Sequence, residues 1–210
     1  MHYRLSYEQH DKIALKAEPN HKSSANKQVD VKLSLIIPTF QEEKLIEEQL
    51  KRFKPEIRNK YNFELIVSDG GSTDKTVEIA KKYSDKIILH DSSKRQTIAA
   101  GRNNGASIAS GDVLIFLNAD SYPADLDKFF SEILKWANDK SGNCGAIACY
   151  VSGFPSEIRF KDKVFYFLHN QYVAFLNFIG LGMGRGECQI VRRNVFEQVG
   201  GYNSEIVAGE

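Results

Sequence analysis

Two short stretches gather carboxylates and small residues where an apolar run gives out. Val67-Ser68-Asp69-Gly70-Gly71-Ser72-Thr73-Asp74-Lys75-Thr76 continues the run Phe63-Glu64-Leu65-Ile66, and Asn118-Ala119-Asp120 follows Val113-Leu114-Ile115-Phe116-Leu117. Open, mainly parallel sheets bind ligands in the crevice at the carboxyl ends of their strands. Carboxylates and tight turns at two such ends therefore point to a nucleotide. Lys94-Arg95-Gln96 and Arg102 supply cations nearby. Two readings stand for Arg95 and Arg102: neutralisation of a diphosphate, since guanidinium pairs well with phosphate oxygens, or a solvated basic face.

The elements that would position these groups are legible in the periodicity. Leu33-Ser34-Leu35-Ile36-Ile37 breaks at Pro38-Thr39-Phe40 and reads as a strand, as do residues 63–67, 86–90 and 113–117. The last is apolar at every position, as a strand covered on both faces should be. Leu45, Ile46, Gln49, Leu50 and Phe53 recur at helical spacing within 42–53. A second helix is expected over 74–83, with Asp74 capping it and Thr76 in its first turn. Residues 96–109 read as a small-residue helix that must pack closely, because Ala and Gly dominate one side.

Composition describes an ordinary soluble domain. With 210 residues, 42% hydrophobic content and a formal net charge of +1, the chain can bury one core and has no electrostatic reason to seek nucleic acid. Cys144, Cys149 and Cys188 show neither a CxxC nor a Cys/His ligand spacing, so reduced, mostly buried thiols are expected. The spacing of the five histidines supports no metal site. Residues 1–32 read as a short helix or extended arm followed by a polar linker, without a signal-peptide pattern. The expected location is cytoplasmic, at the inner face of a membrane.

Five segments, in order, resemble a known family. Leu35-Ile36-Ile37-Pro38-Thr39-Phe40-Gln41-Glu42-Glu43, Asp69-Gly70-Gly71-Ser72-Thr73-Asp74, Gly101-Arg102-Asn103-Asn104-Gly105-Ala106, Gly111 to Asp120, and Arg192-Arg193-Asn194-Val195-Phe196-Glu197-Gln198-Val199-Gly200-Gly201-Tyr202 are similar to motifs of family 2 glycosyltransferases. These are inverting, nucleotide-sugar-dependent enzymes. The resemblance implies the α/β GT-A fold: a Rossmann-like, mainly parallel sheet flanked by helices, with a C-terminal acceptor-binding half. It spans 33–210, with 33–120 as the nucleotide-sugar half and 121–210 as the acceptor half.

The same resemblance implies site residues. Pro38, Thr39, Glu42 and Asp69 would hold the nucleoside; Asp69 is expected to bind, and Asp74 to stabilise its turn. Asn118-Ala119-Asp120 stands where the family carries Asp-x-Asp, whose last carboxylate binds a divalent cation, Mn2+ or Mg2+, bridging the diphosphate. Asp120 is then the metal ligand, while Asn118 removes one negative charge and belongs beside the ribose or behind the metal ligand. The donor would be a UDP- or GDP-sugar, and the acceptor a carbohydrate or a lipid-linked hydroxyl. A general base follows the Gly-Gly-Phe/Tyr segment as Glu-Asp; here Glu210 takes the place of the Glu, and the chain ends before the Asp. Two expectations stand: a chain cut just short of its base, or Glu210 acting in its place.

Residues 164–179 hold the richest aromatic stretch, interrupted by His169, Asn170, Gln171 and Asn177. It is a poor match to the about 20 apolar residues of a membrane span. An amphipathic helix fits, touching a membrane surface or lipid-linked acceptor, or packing against the sheet or a second copy of the chain. The Gly-rich 180–186 follows a helix, not a strand, so it is no dinucleotide loop. It reads as an acceptor-side loop, with Glu187 and Gln189 directed into the site as sugar contacts. Two rivals remain: a nucleotidyltransferase, for which the loop after the first strand is neither Gly-rich nor basic, and a non-catalytic nucleotide-sugar-binding remnant.

Overall fold

A computed structural model describes residues 3–6, 31–90, 96–139, 144–153 and 158–205. In chain order the elements are β1 (Tyr3–Ser6), β2 (Leu33–Thr39), α1 (Ile46–Lys51), α2 (Pro55–Lys60), β3 (Phe63–Asp69), α3 (Thr76–Tyr83), β4 (Lys86–Leu89), α4 (Ile98–Ile108), β5 (Val113–Leu117), β6 (Ser121–Pro123), α5 (Leu126–Asn138), β7 (Ala146–Ala148), β8 (Tyr150–Gly153), α6 (Phe160–Phe178), β9 (Cys188–Arg192) and α7 (Arg193–Gln198). The expected strands and helices are present, with two differences. The helix expected over 42–53 starts only at Ile46, and Pro55 at the first helical position begins a separate α2.

The main sheet runs β4-β3-β2-β5-β9-β7. β2 pairs in parallel with both β3 and β5, and β4 with β3, whereas β9 is antiparallel to β5 and β7. Alternation of side chains sorts the central strands onto two faces. Leu33, Leu35, Ile37, Leu65, Val67 and Ile115 meet α1, α3 and α5 in the larger core. Ile36, Ile66, Leu114 and Phe116 meet α4, and Phe196 and Tyr202 close that face from the C-terminal side. Residues 3–6, in the stretch expected as a short helix or extended arm, form a strand between β6 and β8, parallel to the first and antiparallel to the second. Residues 7–30 lie outside the described residues.

Two features fix the sheet where the sequence left the reason open. Glu64 is the buried centre of a polar knot: Ser34 Oγ donates to its Oε1 at 2.7 Å, Ser110 N and Oγ at 2.5 and 2.9 Å, and Lys86 Nζ lies 2.8 Å from Oε2. Burial alone would raise this carboxyl, but the hydrogen bonds from Lys86, Ser34 and Ser110 outweigh it and hold it down to about 2. Gly105 in α4 lies against β2, where an added Cβ would sit 2.3 Å from Ile36 Cγ2. Ile36 is fully buried and cannot swing aside. Gly105→Ala is therefore expected to lower stability by about 1–3 kcal/mol despite the better helix propensity of Ala, read as a lower urea midpoint.

The Arg192-to-Tyr202 segment turns out to be largely structural. The Arg192 fork caps the end of α5, donating to Trp136 O and Ala137 O at 2.9 and 3.0 Å. Arg193 Nε donates to Gly111 O at 2.6 Å. Gly200 and Gly201 adopt φ of 79° and 75°, which L side chains rarely reach. The turn returns Tyr202 to Asn103, which donates to Tyr202 O at 2.7 Å and accepts from Tyr202 N at 2.9 Å. Two of the three cysteines are buried, with Cys149 and Cys188 Sγ atoms 3.4 Å apart as free thiols. Cys144 is exposed.

Candidate functional site

The carboxyl ends of β2, β3 and β5 lie side by side, since Thr39 pairs with Asp69 and Ile36 with Phe116. At the end of β3, Asp69 is 2% exposed. Its Oδ2 accepts from Gly71 N and Ser72 N at 2.9 and 2.8 Å, and its Oδ1 from Ser72 Oγ and Thr39 Oγ1 at 2.6 and 3.3 Å. A carboxylate has about four acceptor sites, and four donors of the fold fill them. Asp69 is thus committed to holding its turn, the role expected only of Asp74. Asp74 also fills that role: its Oδ1 accepts from Thr76 N and Oγ1, and its Oδ2 from Glu43 N.

The loop after β2 is stitched to the same turn. Gly70 N donates to Thr39 O at 2.8 Å, Gln41 N to Ser72 Oγ at 2.9 Å, and Glu42 N to Thr76 Oγ1 at 2.8 Å. Gln41 sits at φ 57°, left-handed backbone that a non-glycine residue keeps only when its surroundings fix it. Pro38, Thr39 and Glu42 thus line a rigid edge beside the Gly70-Gly71 turn. The sequence reading missed Gln96 here. Its amide Oε1 and Nε2 are buried without a partner among the described residues. They lie 3.2 and 3.3 Å from where a Cβ on Gly70 and on Gly101 would stand.

Beyond β5, the Asn118–Asp120 turn separates its two polar side chains. Asn118 Oδ1 accepts from Arg102 Nη2 at 3.1 Å, and Asn118 N donates to Glu187 O at 3.1 Å. Asp120 is half-buried, receives Ser121 Oγ at 3.1 Å, and borders a hollow of about 70 Å³ with Leu45, Gln49 and Arg52. Asn118 Oδ1 is thus engaged by Arg102, whereas Asp120 keeps acceptor capacity beyond its bond from Ser121. Mn2+ and Mg2+ are commonly bound by one or two carboxylates plus water and substrate phosphates. Asp120 fits that donor set, and no cluster of three or more His, Cys, Asp or Glu stands ready to hold a metal among the described residues.

On the β9 side, a cavity of about 1000 Å³ opens between α6 and β7–β9, bordered by Tyr150, Asn170, Asn177, Gln189, Phe196 and Tyr202. Burial pushes the Tyr202 hydroxyl up to about 12, so it stays protonated and donates to Gln189 Oε1. Residues 34–200 match the family model described as "Glycosyl transferase family 2". The chain belongs to glycosyltransferase family 2.

Relatives and solved structures agree with that assignment. Over 96 residues the chain is 38% identical to the dolichyl N-acetyl-alpha-D-glucosaminyl phosphate 3-beta-D-2,3-diacetamido-2,3-dideoxy-beta-D-glucuronosyltransferase of Methanococcus voltae, covering 43% of this chain and 30% of that one. It is 32% identical over 114 residues to the dolichol-phosphate mannosyltransferase of Pyrococcus furiosus, covering 52% and 32%. The matched segments are thus about a third of those relatives' lengths. The fold resembles the mannosyltransferase PcManGT of Pyrobaculum calidifontis, solved with GDP-Man and Mn2+, at a TM-score of 0.62 and 22% identity over 84% of this chain and 48% of that one. It also resembles TarS of Staphylococcus aureus, at 0.53 and 19% over 85% and 31%. The architecture is that of the GT-A glycosyltransferases.

Within this glycosyltransferase domain several expected site residues are reassigned. Arg102 is 7% exposed, so the solvated basic face is excluded for it. Its Nη2 bridges Asn118 Oδ1 and Gly186 O, and its guanidinium lies 5.2 Å from the Tyr202 ring centroid. Arg102→Met is expected to cost about 1–3 kcal/mol in a denaturant titration, because those acceptors lose a charged donor. Glu187 is no open sugar contact, since Arg185 pairs with it at 2.7 Å and both side chains are largely buried. Gln189 borders the cavity. Arg95 and Glu210 lie outside the described residues.

Proposed function

We propose that this family 2 domain binds a UDP- or GDP-sugar and transfers the sugar to an acceptor hydroxyl with inversion. The observation that carries this reading is the convergence of three strand ends on one crevice. What supports the reading is that Thr39 and Asp69 end neighbouring strands, that Asp120 follows β5 in the same sheet, and that a large cavity opens on the β9 side. The nucleoside rests on the edge formed by Pro38, Thr39 and Glu42, and Gln96 offers both a donor and an acceptor to the base. Asp69 acts through the turn it holds.

The relatives' names include dolichyl-linked transfers, and the structural neighbours include a complex with GDP-Man and Mn2+. Both support a nucleotide-sugar donor and a lipid-linked or glycan acceptor. Asp120 would hold the divalent cation, which offsets the charge gathering on the departing nucleoside diphosphate. Asn118 and Arg102 keep the turn that presents Asp120 in place. Gln189 and Tyr202 would orient the acceptor from the cavity wall.

One observation favours a second reading, donor binding without turnover. No Asp or Glu that could act as the base borders the cavity among the described residues. The test is to incubate the chain with UDP- and GDP-sugars and Mn2+ and follow release of nucleoside diphosphate. Metal-dependent release with one donor class is the expected result. Tight binding without release would favour the second reading, and neither binding nor release would overturn both.

A further inference from the structure

The outer face of α6 has no partner among the described residues. Tyr166, Asn170 and Val173 face inward, and Asn170 closes on β8, donating to Val151 O at 3.0 Å and accepting from Val151 N at 3.3 Å. Phe160, Phe165, Phe167, Leu168, Phe175 and Phe178 point the other way and are 56–81% exposed. At 1.5 Å per residue, this 19-residue helix offers an apolar strip about 28 Å long. Soluble monomers rarely leave so large a contiguous apolar surface uncovered. The expectation that 164–179 packs against the sheet thus holds for one side of the helix only.

Charge decides between the occupants. Arg159, Lys161 and Lys163 stand exposed at the start of α6, and no ion pair engages them among the described residues. Asp162, the lone acid of the helix, accepts from Arg159 N at the cap, at 3.0 Å. No Asp or Glu follows until Glu187. A second copy of the chain would bring the same acid-free, basic-edged strip and no complement to it. Aromatic and leucine side chains beside exposed Lys and Arg are what an in-plane interfacial helix presents to an anionic bilayer. No described helix is long and apolar enough to cross a membrane, so α6 would lie along the surface.

We propose that the outer face of α6 seats this domain on the surface of an anionic membrane. Phe167, Phe175 and their neighbours enter the headgroup boundary while Arg159, Lys161 and Lys163 meet lipid phosphates. The inner face of the same helix, through Asn170, Val173 and Asn177, walls the large cavity. One helix diameter, about 10 Å, then separates that cavity from lipid. An acceptor whose apolar anchor stays in the bilayer can reach it; this last step rests on the cavity being the acceptor side, whereas the membrane seat does not.

The test is co-sedimentation of the whole chain with vesicles of phosphatidylcholine alone and with phosphatidylglycerol added. Binding only to the anionic vesicles is expected, weakened by salt. The exposed pair Phe167→Glu with Phe175→Glu should lower it at least about tenfold while the variant still binds nucleotide. Lys161→Glu with Lys163→Glu should remove the preference for anionic lipid. Failure of the chain to sediment, binding unaffected by either pair, or a dimer in gel filtration that the phenylalanine pair dissociates would each overturn the proposal. Asp120→Ala should sediment like the parent, so loss of the donor site and loss of the membrane seat read out separately.

Discussion

Asp120→Ala is expected to weaken Mn2+-dependent binding of the nucleoside diphosphate at least about 100-fold in a calorimetric titration, with the fold intact. Losing even an outer-shell partner costs a metal site up to about 100-fold in affinity, and on the proposed reading Asp120 would touch the ion itself. The fold survives because Asp120 does little for it: Ser121 Oγ is the hydrogen-bond donor it receives. Asp69→Ala should behave in the opposite way. Four donors lose their acceptor at once, so the variant should lose stability along with any binding. Comparing unfolding curves of the two variants separates a ligand-holding carboxylate from a turn-holding one. If Asp120→Ala binds nucleotide as the parent does in Mn2+, the metal assignment fails. Asn118→Asp is a useful companion, since it places a second negative charge beside Arg102 in the same turn as Asp120.

Glu64→Gln is expected to cost about 2–3 kcal/mol at neutral pH and to flatten the acid limb of the stability profile. The Glu64 carboxyl is held at about 2, against an ordinary value of 4.5. A depressed carboxyl contributes stability that is fully present above its unfolded value and is lost as pH falls from about 4.5 towards about 2. That shift converts to about 3 kcal/mol, and a residue with some solvent contact delivers somewhat less. The amide keeps the shape and still accepts from Ser34 or Ser110, but it forfeits the pairing with Lys86. Asp74 is also held low: burial would raise it, and hydrogen bonds from Thr76 and Glu43 outweigh that. Only the difference between parent and variant urea curves, taken from pH 7 to pH 2, isolates Glu64. Equal slopes in the two would show that the knot at Ser34, Ser110 and Lys86 does not discriminate between charged and neutral forms.

The strands that carry the site were legible because covered parallel strands leave continuous apolar runs, and 33–37, 63–67 and 113–117 are such runs. The tight packing of α4 was legible from its small residues for the same reason. What sequence spacing did not carry was the direction of side chains. Asp69 and Asp120 look equivalent as acids after strands, yet one points into its own turn and the other keeps open acceptor sites. Arg102 looked like a surface or phosphate cation, and Glu187 like a sugar contact, until their partners, Asn118 and Arg185, came into place from far along the chain or across a turn. Gln96 gave no signal, since one amide in a polar stretch is unremarked until two glycines 26 and 5 residues away are folded around it. The strand pairing of residues 3–6 was hidden too, because four residues are too few for periodicity to declare a strand.

The measurement that tests the central claim most directly is anomalous diffraction from crystals of this chain grown with Mn2+ and UDP or GDP. The account predicts a manganese peak at the Asp120 carboxylate, bridged to the diphosphate, with the base on the edge formed by Pro38 and Thr39 and within reach of the Gln96 amide. A nucleotide bound elsewhere, or manganese bound away from Asp120, would contradict it.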